Sequence, residues 1–300
     1  TVCERCKLFQ LSEQPEPKLL FHENYAFFAE TSTVMQDHFK ALSNELINKF
    51  NLQKNDLVVE IGNNDGGMVY YLSQNKYNSI GVDPSKNVAD RAAEKGVKII
   101  NDFFDYRCSE KINSEYGKAK FFLSANTLAH IPDINSVFRG IQNILDDEGI
   151  FITEDPYLLD VLKKVSYDQI YDEHVFIFSL RSIQNICEKY NLEVFDIKKL
   201  ETAGGSMRYY IAKKGKKIIS NNVKEIQNYE AKLFESNEVF DKFRDDCLNS
   251  KKSLNNLLNK LSNENSIVGY GATSKSTTIF NFCEIGEHQI KFLTDTTSTK

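Results

Sequence analysis

Tyr171-Asp-Glu-His174 sets a phenol, two carboxylates and an imidazole on four consecutive positions. A carboxylate beside an imidazole can orient the ring and raise its basicity, the pairing that general-base catalysis requires. On that reading His174 removes a proton and Glu173 supports it; a histidine satisfied inside a core is the structural alternative. A second constellation lies at residues 57–67. Leu57, Val58, Val59 and Ile61 form a short apolar run, mostly β-branched, of the kind found in strands covered on both faces. Glu60 sits within it, and Gly62, Gly66 and Gly67 follow at once, before the apolar face that starts at Met68. Strand, glycine turn and helix N-terminus together bring backbone N–H groups close to a nucleotide. Asp83 stands 21 residues after Gly62, the position from which a carboxylate grips a ribose diol. The spacing Gly-x-x-x-Gly-Gly is not the Gly-x-Gly-x-x-Gly of dinucleotide sites and points to S-adenosylmethionine.

These groups need a scaffold, and residues 52–153 supply an alternating pattern. Strands are predicted at 57–61, 79–83, 97–100, 120–125 and 148–153, with helices at 68–75, 85–95, 106–116 and 133–145. That alternation is a doubly wound parallel sheet, which binds ligands outside the carboxyl ends of its strands. Asp102, Phe103 and Phe104 follow the third strand and could flank a purine. Asn126 and His130 follow the fourth, and Glu154 to Tyr157 the fifth. Upstream, Phe21, Tyr25, Phe27 and Phe28 form an aromatic cluster before an amphipathic helix at 34–50. Such a cluster packs a core or caps a ligand pocket, since a phenol supplies both stacking and a hydrogen bond.

Downstream, a helix near 181–190 and a strand at 192–199 lead to the Gly204-Gly205 turn, which opens another strand through Ser206 and Arg208. Residues 221–264 read as one long helix with a solvated charged face. Gly269-Tyr-Gly271 with Lys275, a helix at 276–282 and a strand at 289–293 repeat the strand–glycine–helix logic and suggest a second phosphate cradle. At the other end, Cys3 and Cys6 form one C-x-x-C knuckle, half of a zinc site or else two surface thiols. Both ends of the chain look cut. With 41% hydrophobic residues and 12% aromatics the chain folds, and 300 residues suggest more than one domain. A net charge of −5 gives no footprint for nucleic acid, and no apolar run is long enough to span a membrane. Four isolated cysteines argue for a reducing, cytoplasmic setting.

Taken in order, Glu60 to Gly66, Asn126 to Pro132, Glu154 to Leu158, Tyr171 to His174, Gly204 to Ser206, and Gly269 to Ala272 with Lys275 resemble the nucleotide-sugar C-methyltransferases, represented by the tetronitrose 3-C-methyltransferase of antibiotic biosynthesis. The resemblance implies a zinc-binding remnant at 1–20, an S-adenosylmethionine domain at 21–200 and an incomplete Rossmann-like domain for the nucleotide sugar at 201–300. It implies that Gly62, Asn63, Asn64, Asp65, Gly66, Asp83, Pro84, Asp102, Phe103, Phe104 and Asn126 hold the cofactor. His174 would be the base, beside Glu173, with Tyr171 on the enolate oxygen and Tyr25 and His130 positioning the sugar. Tyr157, Ser206, Arg208, Tyr270 and Lys275 complete the implied substrate set, Tyr270 and Lys275 on the pyrophosphate. Cys3 and Cys6 would bind structural zinc. The substrate would be a nucleotide-activated 4-keto deoxysugar, methylated at C3. Sugar O-methylation, a nicotinamide-dependent oxidoreductase and a non-catalytic sugar-nucleotide-binding module remain as alternatives.

Overall fold

The computed structural model describes residues 1–296. At its centre is a seven-stranded sheet, formed by β1 (Leu57–Ile61), β2 (Ser79–Val82), β3 (Lys98–Ile100), β4 (Ala119–Ala125), β5 (Leu145–Pro156), β6 (Leu192–Leu200) and β7 (Ser206–Lys213). The spatial order is β3-β2-β1-β4-β5-β7-β6. The first five run parallel, and β7 is antiparallel to both of its neighbours. The expected all-parallel sheet is therefore mixed. The link 201–205 is too short for a crossover, so the chain turns straight back beside β6, and β7 fills the place between β6 and β5.

Every residue of β1 is buried, as its apolar run predicts. Val59 and Ile61 join one core with Phe122, Phe151 and Tyr209, whereas Val58 joins a second with Phe121, Ile152 and Tyr210. Alternate side chains thus enter cores on opposite faces, and helices cover both. After a single helical turn at Pro17–Leu20, α1 (Thr33–Asn48) precedes the sheet. Then come α2 (Gly67–Gln74), α3 (Lys86–Glu94), α4 (Tyr106–Tyr116), α5 (Ile134–Ile144), α6 (Leu158–Lys164) and α7 (Leu180–Lys189). Ser32, Asp105, Asp133 and Ser179 cap four of these by accepting the amide three positions on.

Beyond residue 200, where a second domain was expected, the sheet continues into β7. The long helix expected at 221–264 is two, α8 (Asn221–Leu233) and α9 (Glu238–Ser262). The break falls at Ser236 and Asn237, where Ser236 Oγ accepts the Glu238 amide at 3.3 Å, and Phe234 and Phe240 stack across it at 5.7 Å. Val223, Phe234, Phe243 and Cys247 belong to the same core as the sheet. Past α9 only Gly269–Tyr270 and Leu293–Thr294 pair, in parallel, around α10 (Ser274–Cys283). The strand expected at 289–293 is reduced to that two-residue piece, and the Rossmann-like repeat is one small βαβ unit among the described residues.

At the N-terminus, Phe9–Gln10 pairs with Phe176–Ile177. This ties the cysteine knuckle to the segment that carries His174. No helix among the described residues is long and apolar enough to cross a membrane.

Candidate active site

A cavity of about 640 Å³ opens at the carboxyl edge of the sheet, lined by residues from both ends of the chain. One side, expected to take the cofactor, is shaped by the glycine turn after β1. Gly62 takes φ +62°, and a Cβ there would stand 2.2 Å from Thr127 Oγ1; at Gly67, φ +48°, it would stand 2.5 Å from Glu60 Oε1. Neither position admits a side chain. Glu60 lies under the turn and accepts the Val69 amide at 2.9 Å, and burial pushes its carboxyl up to about 8. Asp83 ends the β2 turn and accepts the amides of Asn64 and Ser85, both at 2.9 Å. Burial raises it to about 6. Ser85 lines the cavity beside it, with its buried Oγ lacking a partner. A carboxylate and a spare hydroxyl at the end of β2, facing a glycine turn, suit the ribose of S-adenosylmethionine. Pro84, Phe103, Phe104 and Asn126 complete this side.

The opposite side, expected to take the substrate, gathers polar side chains. His174 Nδ1 lies 2.8 Å from the Gln169 carbonyl, which can only accept, so Nδ1 carries the hydrogen. The lone pair is then on Nε2, 3.1 Å from the Tyr171 hydroxyl, which donates to it. Burial lowers His174 to about 4, and the Lys275 charge acts in the same direction. The ring is neutral at pH 7. Burial also lowers His130 to about 3, with the His174 ring 5.1 Å away. His130 Nδ1 is 3.9 Å from Glu173 Oε2, Phe21 stacks on its ring at 5.7 Å, and its buried Nε2 has no partner among the described residues. Tyr25 donates to Glu173 Oε2 at 3.2 Å; burial and that carboxylate push the phenol up, so it stays protonated. Burial raises the Tyr171 phenol as well. Lys275, on the first turn of α10, reaches the cavity 4.0 Å from Asp168.

Glu173 does not touch His174. The Gln169 carbonyl orients that ring, while Glu173 serves Tyr25 and His130. Adjacent residues in an irregular segment project in different directions, so sequence neighbours need not be partners.

Seven expected site residues lie off the cavity. Asp65 accepts the Glu30 amide at 3.3 Å and pairs with Lys95 at 3.2 Å, and Gly66 caps α2. Asp102 accepts the Phe103 amide at 2.8 Å. Tyr157 is buried and donates to Glu230 at 2.8 Å. Ser206 donates to the Thr202 carbonyl at 3.0 Å. Arg208 is buried between Glu154, at 2.5 Å, and Glu45, at 2.7 Å. Tyr270 is 78% exposed. In Tyr157, at the cap of α6, and in strand-borne Ser206 and Arg208, the polar group faces a neighbouring element of the core rather than the edge. Asn63 does line the cavity, although its side chain packs against Gly81.

Ser85, Thr127, Gln169 and Ser274 line the cavity without having been singled out. Only Ser85, two residues past Asp83, carried a sequence signal. Cys3 and Cys6 face each other in a tight turn with Lys7 at φ 56°, and the Cys3 amide donates to the Leu8 carbonyl at 2.9 Å. Yet no group of three or more metal-ligating side chains exists among the described residues. Two thiols are half of a tetrahedral set, so the expected zinc site is not formed by these residues alone.

The chain is similar to several known proteins. The C-methyltransferase NovU of Streptomyces niveus is 29% identical over 302 residues, covering 100% of this chain and 72% of that protein. Among solved structures, the magnesium protoporphyrin IX methyltransferase of Synechocystis with bound SAH is 16% identical, with TM-score 0.46 over 59% of this chain and 82% of its own. An S-adenosylmethionine-dependent methyltransferase of Clostridium acetobutylicum is 15% identical, with TM-score 0.47 over 60% and 92%. The C-terminal domain of C-methyltransferases matches residues 201–300, and the methyltransferase domain matches residues 32–197, more than half of the chain. A nicotinamide oxidoreductase and a non-catalytic module are thereby set aside: the chain belongs to the methyltransferase-domain family and is an S-adenosylmethionine-dependent methyltransferase whose last third is similar to the C-terminal domain of C-methyltransferases.

Proposed function

We propose that the acceptor is a nucleotide-linked deoxysugar, methylated at the carbon beside a 4-keto group, C3, through an enolate. Carbon is a poor nucleophile unless a neighbouring carbonyl makes its C–H acidic. The observation that carries the reading is the neutral His174 with its Nε2 lone pair held under the Tyr171 hydroxyl at 3.1 Å. That hydroxyl has one hydrogen and, with substrate bound, two acceptors. When the ketone oxygen takes it, Nε2 is freed to remove the C3 proton, and the phenol stabilises the oxygen on which charge develops. S-adenosylmethionine supplies an electrophilic methyl carbon. The Lys275 charge then helps His174 to lose the proton again, because both cations share one buried space.

Tyr25 and His130 would place the sugar ring, the unpartnered His130 Nε2 taking one of its polar groups. Lys275 and the first amides of α10 would take the pyrophosphate; exposed Tyr270 stands outside this arrangement. Zinc has no part in the chemistry. Cys3 and Cys6 would hold it only with two ligands from other residues. The proposal places the reaction in the cytoplasm.

The test is solvent deuterium exchange at C3 of a nucleoside-diphosphate-linked 4-keto-6-deoxyhexose, with S-adenosylhomocysteine saturating the cofactor side. Exchange that disappears in His174→Asn supports the enolate. No exchange, with a methyl group found on a hydroxyl in turnover, would establish O-methylation instead.

A further inference from the structure

Tyr25 lies in a segment with no strand or helix to hold it: residues 21–28 are irregular, and only one 3₁₀ turn, Ala29–Thr31, follows. Two asparagines fasten this segment. Asn87 Oδ1 accepts the Tyr25 amide at 3.2 Å, and its Nδ2 donates to the Tyr25 carbonyl at 2.8 Å. Asn64 repeats the device two residues on, accepting from the Ala29 amide at 2.9 Å and donating to the Phe27 carbonyl at 3.0 Å. Each carboxamide mimics a strand neighbour, satisfying a donor and an acceptor of an otherwise unpaired backbone.

Asn64 belongs to the glycine turn, but Asn87 lies outside the cavity on the first turn of α3, four residues after Asp83. Its own side chain does not line the cavity. What it fixes is the backbone from which the Tyr25 hydroxyl reaches Glu173 Oε2 at 3.2 Å. We infer that Asn87 is a positioning residue for the reaction, holding Tyr25 against Glu173 and gauging the substrate side from the helix that follows the cofactor-side carboxylate. This rests on the reading of Tyr25 as part of the substrate site. A hydroxyl displaced by an ångström loses most of its effect on a bound reactant, so loss of the clamp should appear in turnover more than in affinity.

A double-mutant cycle tests it, read as turnover of the same 4-keto nucleotide sugar and as calorimetric affinity for S-adenosylhomocysteine. Asn87→Ala should lower kcat about tenfold with cofactor affinity within about twofold. In a Tyr25→Phe background the same change should cost less than about twofold, because residues acting through one group are not additive. Asn87→Asp, which keeps the acceptor and loses the donor, should fall between and guards against misfolding of the alanine variant. Full additivity, or unchanged kcat in Asn87→Ala, would overturn the inference alone. No loss in Tyr25→Phe itself would remove Tyr25 from the site and the inference with it.

Discussion

The two sides of the cavity are built differently. The side proposed for the cofactor comes from one sheet edge: Gly62, Asn64, Asp83 and Asn126 each follow a parallel strand, and a glycine turn that admits no side chain shapes it. The substrate side gathers Tyr25, His130, Gln169 to His174 and Lys275 from four separated segments, and side chains do the work. A cradle of backbone tolerates little change of shape but needs few particular side chains. A cluster of side chains needs particular atoms, and its parts can be exchanged one at a time. Variants should therefore divide into those that lose the cofactor and those that keep it but lose the chemistry.

The sharpest division is expected from His174→Asn. Removing a general base costs about 10² to 10⁴ in rate, so turnover should fall at least about a hundredfold while calorimetry finds S-adenosylhomocysteine affinity intact. Weakened binding would make His174 a structural part of the cofactor side and blur the distinction. Gly62→Ala should do the reverse. A Cβ 2.2 Å from Thr127 Oγ1 in a left-handed backbone displaces the turn, and titration should find no saturable cofactor binding.

Asp83→Ala is a milder break on the same side. Hydrogen bonds to a charged group contribute about 1.5–3 kcal/mol, so the dissociation constant should rise about ten- to a hundredfold. Unchanged affinity would take Asp83 off the ribose. On the substrate side, Lys275→Ala should raise KM for the nucleotide sugar about tenfold, a contribution of ~1.4 kcal/mol, and Lys275→Arg should restore most of it. A fall in kcat without a change in KM would move Lys275 from the pyrophosphate to the reacting carbon.

The smallest effect is a flat line. His174 must be unprotonated to act, and burial lowers it to about 4, so it gains a proton only as the pH falls toward that value. With both ligands saturating, kcat should change less than about twofold from pH 8 to about 5.5 and decline below. Cofactor affinity should begin to weaken sooner, because Asp83, raised to about 6, loses its charge first on the way down. An acid limb in kcat near 6.5 would instead mark a solvated base.

Much of the glycine-turn edge was legible in the sequence. The strand run at 57–61, the glycines and the distance to Asp83 are local consequences of a βαβ unit, and such a unit brings the ends of its parallel strands to one edge. Asp65 and Asp102 show the limit. They have the right position in the chain, but the backbone turns their carboxylates to Lys95 and to the Phe103 amide. The antiparallel β7 also lay beyond local pattern, because its place between β5 and β6 depends on pairing with both.

By itself the sequence determined the residue types available for chemistry and the periodic elements that carry them, since hydrophobic spacing and turn residues act over a few positions. Only the tertiary structure decided partners. It gave His174 to Gln169 and Tyr171, Glu173 to Tyr25 and His130, Tyr157 to Glu230, and Arg208 to Glu154 and Glu45. The reason is physical: a hydrogen bond is fixed by side-chain direction to within a few tenths of an ångström, and in irregular segments that direction is set by contacts far away in the chain, such as the grip of Asn87 on Tyr25.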